Sequence, residues 1–306
     1  FYIILPIAVI DLIVSLFILK NVTEQRESKL DILSVILSVL GFGGILYGFS
    51  TAGADGWSDK WVITTLAVGI ISLLSFVWRQ LKIKSPILEF KVLKNGIFTL
   101  TTVLGTIAFS MMMAIETILP IYTQNMRGIS AFHSGLMLLP GAVVMAIMSP
   151  VAGMIFDKIG SKLLAFVGLG LLTITTFVFS SLNLNTSVAF IVIVYAVRMA
   201  SVALILMPLT TAGLNALPNR LIAHGTAMNN TFRQVGASMG TAVLISIMSN
   251  WGKNGKYANP LDAQVAGMHT SFIIAAVISL IAVLMVFLLK SDKKTIEDEE
   301  MLEEAN

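Results

Sequence analysis

The sequence contains no cysteine and little charge, and both absences narrow its possible functions. Only 12% of the residues are charged, against about 25% in soluble domains. The lack of cysteine excludes a disulfide framework, a cysteine metal site and a thiol nucleophile. Because hydrophobic residues make up 56% of the chain and the mean hydropathy is +0.89, too few polar residues are available to cover a soluble surface. We therefore predict an all-α integral membrane protein, and neither a soluble enzyme nor a nucleic-acid-binding protein.

Nine apolar segments are long enough to cross a bilayer as helices, which requires about 20 residues each. They are separated by charged stretches or by polar turns such as NLNTS at 183–187. The predicted spans are 1–20, 32–52, 61–78, 97–121, 134–156, 163–182, 187–211, 232–251 and 270–290. The sequence thus predicts a bundle with nine transmembrane helices.

Basic residues are distributed unequally between the two sets of loops that alternate along these spans. Fifteen Lys and Arg residues lie in one set, including Arg233 at the start of the eighth span, and four lie in the other. Because basic loops stay in the cytoplasm, the first set is predicted to be cytoplasmic. It comprises the loops 21–31, 79–96, 157–162 and 212–231 and the acidic tail 291–306. Since this places Phe1 near the outer face, and the chain starts directly in an apolar run, we expect an N-terminal part to be missing.

The segment GMIFDKIGSK, from Gly153 to Lys162, has the pattern G-x-x-x-D-[RK]-x-G-x-[RK] between two predicted spans. Gly153 would allow close helix contact, Gly160 would form the turn, and Asp157 would meet the free N–H groups of the next helix. Lys158 and Lys162 would pair with acids of a neighbouring bundle or with lipid phosphates. A generic positively charged cytoplasmic loop would also carry such residues, but the full spacing favours a transporter gating loop.

This motif resembles the signature loop of the major facilitator superfamily, and other segments resemble its 14-span drug:proton antiporter family. Those segments are IILPIAVID at 3–11, SPILEFKVLKNGIF at 85–98, LPIYTQNMRGISAFHSGLMLLPGAV at 119–143 and MPLTTAGLNALPNRLIAHGTAMNNTFRQVGASMGTAV at 207–243. The resemblance covers essentially the whole chain. It implies a multidrug exporter of the bacterial plasma membrane, similar to lincomycin-resistance-type proteins.

The resemblance also implies a domain organisation in which the chain corresponds to spans six to fourteen. Residues 1–31 would be the last helix of an N-terminal half and a loop, and 32–96 two additional helices and a loop. Residues 97–290 would form the C-terminal six-helix bundle, followed by the cytoplasmic tail. The missing N-terminal half of the same protein would then complete a central cavity.

Three charged residues fall inside predicted spans, where a charge is costly and is by default a functional candidate. Asp11 is nine residues from Lys20, and Arg198 is about eleven residues into its span, so both are predicted near the middle of the membrane. Glu116 is predicted about six residues from the outer end of its span. Either acid would carry a proton or attract a cation. Structural roles are the alternatives: Asp11 facing water, Glu116 at an interface and Arg198 paired with an acid of another helix.

These features favour a secondary exporter that moves amphipathic or cationic compounds outward in exchange for protons, by alternating access. Such a protein is not an enzyme, and it needs a proton gradient rather than a cofactor. The alternative is an exporter of the same fold for a metabolite, such as a siderophore, an amino acid or a lipid-like compound. The sequence contains no P-loop motif, which argues against ATP-driven export.

Overall fold

The structure is a computed structural model that describes residues 4–18, 31–83, 86–251 and 259–289. These residues form nine α-helices and no β-strand, so the predicted all-α class is confirmed. The helices are α1 (Ile4–Ile18), α2 (Ile32–Asp55), α3 (Lys60–Gln80), α4 (Gly96–Ile121), α5 (Ala131–Ile159), α6 (Ser161–Phe179), α7 (Val188–Asn215), α8 (Ile222–Trp251) and α9 (Pro260–Val286). The predicted tail 291–306 and nearly all of the predicted loop 21–31 lie outside the described residues.

Seven of the helices, α2–α7 and α9, are long and apolar enough to cross a membrane, counting described residues only. The described part of α1 has 15 residues, and the 30-residue α8 carries a polar stretch that includes Asn229, Asn230 and Gln234. The chain divides into two compact units, Phe1–Ile32 and Leu33–Asn306, and each is described by itself. The first contains α1, and the second contains the other helices.

Two helices begin ten residues earlier than the hydropathy pattern predicts. α8 starts at Ile222 rather than 232, and α9 starts at Pro260 rather than 270. The predicted loop 212–231 is therefore wrong over most of its length. The start of α9 is specified by local chemistry, because the Asn259 side chain accepts a hydrogen bond from the Leu261 N–H at 3.0 Å and proline occupies the first turn. Hydropathy assigns polar residues to loops, but a helix continues through them when neighbouring helices accommodate them.

Helices α4–α9 form one bundle in which α4 and α7 are central. α4 packs against α7, α8 and α9, and α7 also packs against α5 and α6. The buried core between them is apolar; for example, the rings of Phe179 and Phe272 lie 5.8 Å apart. Because lipid is as apolar as such a core, association of membrane helices depends on close packing and on hydrogen bonds between helices. Polar side chains that join helices inside the bundle therefore contribute to holding it together.

Helices α2 and α3 form a tightly packed hairpin within the second unit. A Cβ atom on Gly44 would lie 2.8 Å from the Cα of Gly69, and one on Gly69 would lie 2.7 Å from the Ile45 nitrogen. Both distances are too short for any larger residue, so these glycines allow the two backbones to approach closely.

The hairpin is attached to the bundle at both ends. At one end, Gln80 donates to the Ser34 hydroxyl at 2.7 Å and accepts a hydrogen bond from the Ile87 N–H at 2.7 Å. A small apolar cluster there joins α3 to the beginnings of α4 and α8, and its buried members are Phe76, Leu88, Val92, Phe98, Leu217 and Met228. At the other end, the Trp57 indole N–H donates to the Ser246 hydroxyl of α8 at 2.8 Å.

Candidate functional site

Two of the three predicted membrane charges, Glu116 and Arg198, lie in one polar cluster between α4, α6 and α7. Arg198 is ten residues after the start of α7, and Glu116 is ten residues before Met126, where the helical turns that continue α4 end. At 1.5 Å per residue, both lie about 15 Å from the same end of the bundle. Glu116 is therefore deeper than the sequence predicts, because the helix extends beyond 121.

Arg198 is completely buried and joins three helices. Its guanidinium donates to the Thr176 hydroxyl of α6 at 2.5 Å and to the Met111 carbonyl of α4 at 3.0 Å. Its Nε has no hydrogen-bond partner among the described residues. A buried cation is stable only where opposite charge or well-placed acceptors compensate for lost hydration. The hydrogen bonds to α4 and α6 thus hold the Arg198 guanidinium in one place in the bundle.

Glu116 is half-buried and accepts a hydrogen bond from Tyr195, which lies one helical turn from Arg198 on α7. The Tyr195 hydroxyl donates to the Glu116 carboxylate at 3.4 Å, and Tyr195 lies on the same face of α7 as Arg198 because the two are three residues apart. In the described structure Glu116 and Arg198 form no direct ion pair, but their charges interact electrostatically. A proton that neutralises Glu116 would therefore change the electrostatic balance of the whole cluster.

Pro120 interrupts the backbone hydrogen bonding of α4 next to this carboxylate. Proline has no N–H, and the carbonyl that it would have bonded in an α-helix is that of residue i−4, which is Glu116. Immediately afterwards, residues Tyr122–Met126 form a π-helical turn, in which the Arg127 N–H bonds the Tyr122 carbonyl at 3.2 Å. π-turns inside helices are frequent at functional sites. The acid thus lies one turn before this proline and less than two turns before the π-helical turn.

Gly141 of α5 is a part of this site that the sequence analysis missed. A Cβ atom at this position would overlap the ring of Tyr195 and would lie 2.9 Å from the Cγ of Met199. The glycine therefore makes the space in which the Tyr195 ring is held beside Glu116. In the sequence, Gly141 belongs to the LLPGAV segment, which indicates a family resemblance but no contact of its own.

Replacing Gly141 by alanine should lower the melting temperature of the detergent-solubilised protein, since overpacking a core costs about 1–3 kcal/mol. Gly135→Ala is a matched control on the same helix, because a Cβ there meets nothing within 4 Å. The control should be neutral or stabilising, as alanine favours helix over glycine. Equal melting-temperature shifts in the two variants would contradict the packing role of Gly141.

Asp11, the third predicted charge, lies at the middle of α1. Its side chain is exposed within the first unit, which is described separately from the bundle. Its predicted role in binding a proton or a cation stays a prediction.

The predicted gating-loop motif is a sharp turn, but its residues have other contacts than expected. Asp157 lies inside the last turn of α5, exposed and without a hydrogen bond or ion pair in the described structure. The residue that precedes α6 is Gly160, and α6 has no side-chain cap, so the predicted capping by Asp157 is wrong. The reason is that α5 continues to Ile159 and the chain reverses only at Gly160, whose φ of +79° favours glycine.

The other motif residues also differ from expectation. A Cβ on Gly153 would meet nothing within 4 Å, so the predicted close helix contact at Gly153 is absent from the described structure. Lys162 donates to the Phe287 carbonyl at the end of α9 at 3.3 Å, where a positive charge favours the negative end of the helix dipole. Lys158 is exposed. Lys162 thus joins the turn to α9 of the same bundle.

Arg233, which is predicted at the cytoplasmic edge of its span, joins α8 to α7. It is eleven residues after the start of α8 and donates to the Thr210 hydroxyl of α7 at 2.5 Å and to the Leu206 carbonyl at 3.3 Å. It also approaches Gly105 of α4. Its partners Leu206 and Thr210 are 18 and 22 residues after the start of α7, against ten for Arg198, so Arg233 lies nearer the predicted cytoplasmic end than Arg198 does.

Comparisons with known proteins give consistent matches. A family model described as Major Facilitator Superfamily matches residues 1–241. An uncharacterized MFS-type transporter of Bacillus subtilis, YcnB, is 54% identical over 98% of this chain and 63% of its own length. The lincomycin resistance protein LmrB of Listeria innocua is 37% identical over 96% of this chain and 64% of its own length. The multidrug resistance protein Stp of Mycobacterium tuberculosis is 24% identical over 82% and 47%, respectively. The chain thus spans less than two thirds of the length of these relatives.

Proposed function

This chain belongs to the major facilitator superfamily, and we propose that it acts in the proton-driven export of amphipathic compounds across a bacterial plasma membrane. The predictions of a multi-pass membrane protein and of a transporter family rather than an enzyme are confirmed by this membership. Export is supported by relatives that are named for resistance to lincomycin and to multiple drugs.

Within the superfamily, we assign the chain to the 14-span drug:proton antiporters. In that arrangement α4–α9 are the C-terminal six-helix half, α2 and α3 are the two additional helices, and α1 is the last helix of the N-terminal half. The presence of a two-helix hairpin, α2–α3, attached to a six-helix bundle supports this assignment. The uneven distribution of basic residues supports a cytoplasmic location for the 157–162 turn and for the C-terminus.

The carboxylate of Glu116 is the observation that carries the proposal of proton coupling. A group couples proton binding to transport only if its proton affinity differs between the two states of the transporter. Three features support this role for Glu116: it is half-buried, it lies near the buried charge of Arg198, and it accepts a hydrogen bond from a second helix. A rotation of α7 relative to α4 would separate Tyr195 and Arg198 from Glu116 and favour its protonated form.

The 157–162 turn contributes to the conformational change rather than to binding. Asp157 and Lys158 are exposed at the end of the bundle, free to contact another part of the full-length protein. Lys162 is held by α9, so a contact made by the turn would be transmitted to the bundle. We assign these residues, with Gly160 at the reversal, to the gate that changes between the two access states.

The proposal is tested with the full-length protein in everted membrane vesicles from cells that lack their own major exporters. An imposed pH gradient, acidic inside, should drive accumulation of ethidium, a cation, or of radiolabelled chloramphenicol, a neutral drug. A protonophore should reduce the accumulation to that of vesicles without the protein. Accumulation of neither probe above that background, or accumulation that survives the protonophore, would contradict proton-driven export.

A further inference from the structure

A cavity of about 710 Å³ lies in the second unit between α2, α4, α8 and α9. It opens on one face of α8 and extends along that helix over about four turns, from Gln234 to Ser249. Its lining residues are Phe49, Ser50, Met113, Thr117, Ile121, Asn125, Met126, Gln234, Ala237, Ser238, Thr241, Ala242, Ile245, Met248, Ser249 and Gln264. The volume is that of a pocket for a drug-sized molecule, for which roughly 300–1,000 Å³ is typical.

The cavity wall is polar but carries no charge. Eight of its sixteen residues have hydroxyl or amide side chains, and none of the sixteen is Asp, Glu, Lys, Arg or His. The Thr117 hydroxyl donates a hydrogen bond to the Met113 carbonyl of the same helix, α4, at 2.9 Å. The other seven polar side chains have no hydrogen-bond partner within the described structure, and they therefore offer unused donors and acceptors to a ligand. Three methionines supply adaptable apolar contact beside them.

Three charged side chains are adjacent in sequence to lining residues, and each contacts a group outside the lining. Arg127, next to Met126, lies over the Tyr122 ring at 5.7 Å. Glu116 is adjacent to the lining residue Thr117, but its carboxylate faces Tyr195 of α7. Arg233 is adjacent to the lining residue Gln234, but its guanidinium faces Thr210 of α7. An ionic ligand in the cavity would lose hydration without gaining a counter-charge, which is costly. An uncharged ligand with hydroxyl or amide groups would exchange hydrogen bonds to water for hydrogen bonds to the wall.

From this wall we infer that the cavity binds uncharged amphiphiles that carry several hydroxyl or amide groups, in preference to organic cations. The inference rests on the proposed export function, in which this cavity is the substrate site on the described helices. It separates two roles on α4: Thr117 and Met113 contact the substrate, and Glu116, turned toward α7, binds the proton.

The first test measures binding alone, so that it does not depend on proton coupling. Calorimetry with the purified full-length protein should give a Kd for chloramphenicol that Thr241→Val raises roughly fivefold, since one lost hydrogen bond has an effect of that order. Thr231→Val is the matched control, because Thr231 is on the same helix, lies outside the cavity and bonds its own backbone at 2.8 Å. The control should leave the Kd unchanged. Equal Kd values for the two variants would overturn the assignment of the cavity.

The second test uses one isosteric substitution to reverse the preference of the cavity for uncharged ligands over organic cations. Gln234→Glu places a carboxylate in the uncharged wall, so ethidium should bind at least roughly tenfold more tightly and chloramphenicol more weakly than in the parent protein. If Gln234→Glu leaves both affinities unchanged, or if the parent already binds ethidium more tightly than chloramphenicol, the inference is wrong. Failure of the export proposal is detected independently, by the vesicle assay with its protonophore control.

Discussion

The Glu116→Gln variant should lose pH-gradient-driven export while still folding and still binding substrate. Glutamine keeps the size of the side chain and can still accept the hydrogen bond from Tyr195, which is 3.4 Å away in the parent protein. It has no titratable proton, so it provides no difference in proton affinity between the two transporter states. We expect the gradient-driven accumulation of drug in everted vesicles to fall roughly tenfold or more, to the level of passive entry.

The specificity of this effect is checked with two further acid-to-amide variants. Glu89→Gln changes an acid outside the spans that forms a surface ion pair with Lys91 at 3.4 Å, and it should export normally. Asp11→Asn tests the second predicted membrane acid. If export by Glu116→Gln retains its dependence on the pH gradient, Glu116 is not the coupling group, and normal export by both membrane-acid variants would remove both predicted roles.

The Arg198→Met variant should show the largest loss of stability in the bundle. Methionine fills part of the space but leaves the Thr176 hydroxyl and the Met111 carbonyl without their donor. It also leaves the half-buried Glu116 without its nearest positive charge. Leaving a buried acceptor without its donor costs about 1–3 kcal/mol, and here two acceptors lose theirs, so the melting temperature of the purified protein should fall clearly.

A double-mutant cycle identifies the cause of this loss. If the unpaired charge of Glu116 is responsible, the double variant Glu116→Gln, Arg198→Met should recover about half or more of the lost unfolding free energy. If the unmade hydrogen bonds to Thr176 and Met111 are responsible, the double variant should be as unstable as Arg198→Met. Additive effects would contradict the electrostatic connection between the two residues.

The sequence predicted the membrane helices well because a bilayer imposes one simple requirement on them. A spanning helix must be apolar over about 20 residues, and this can be read without knowing its neighbours. The same requirement identifies Glu116 and Arg198, since a charge in an apolar segment has few structural explanations. It fails for α8 and α9, whose first ten residues are polar enough to resemble loops.

The arrangement around those charges could not be predicted from local patterns. Tyr195 lies one turn from Arg198 and could have been noticed, but tyrosine in a helix is usually a packing residue. Gly141 and Thr176 carry no signal of their own, because their roles exist only where α5 and α6 meet α7. The error at Asp157 has the same origin, since the end of α5 determines which residue precedes α6.

By itself, then, the sequence showed that this protein belongs in a membrane, where most of its helices lie, and that Glu116 and Arg198 are charges within apolar segments. Those properties depend on composition and on spacing within one segment. The tertiary structure alone decided that Glu116 and Arg198 share a site, that Tyr195 bonds Glu116 there, and that the cavity wall nearby is uncharged. Each of these depends on which faces of α4, α7 and α8 meet, and the rotation of a helix about its axis is set by its packing partners rather than by its own residues.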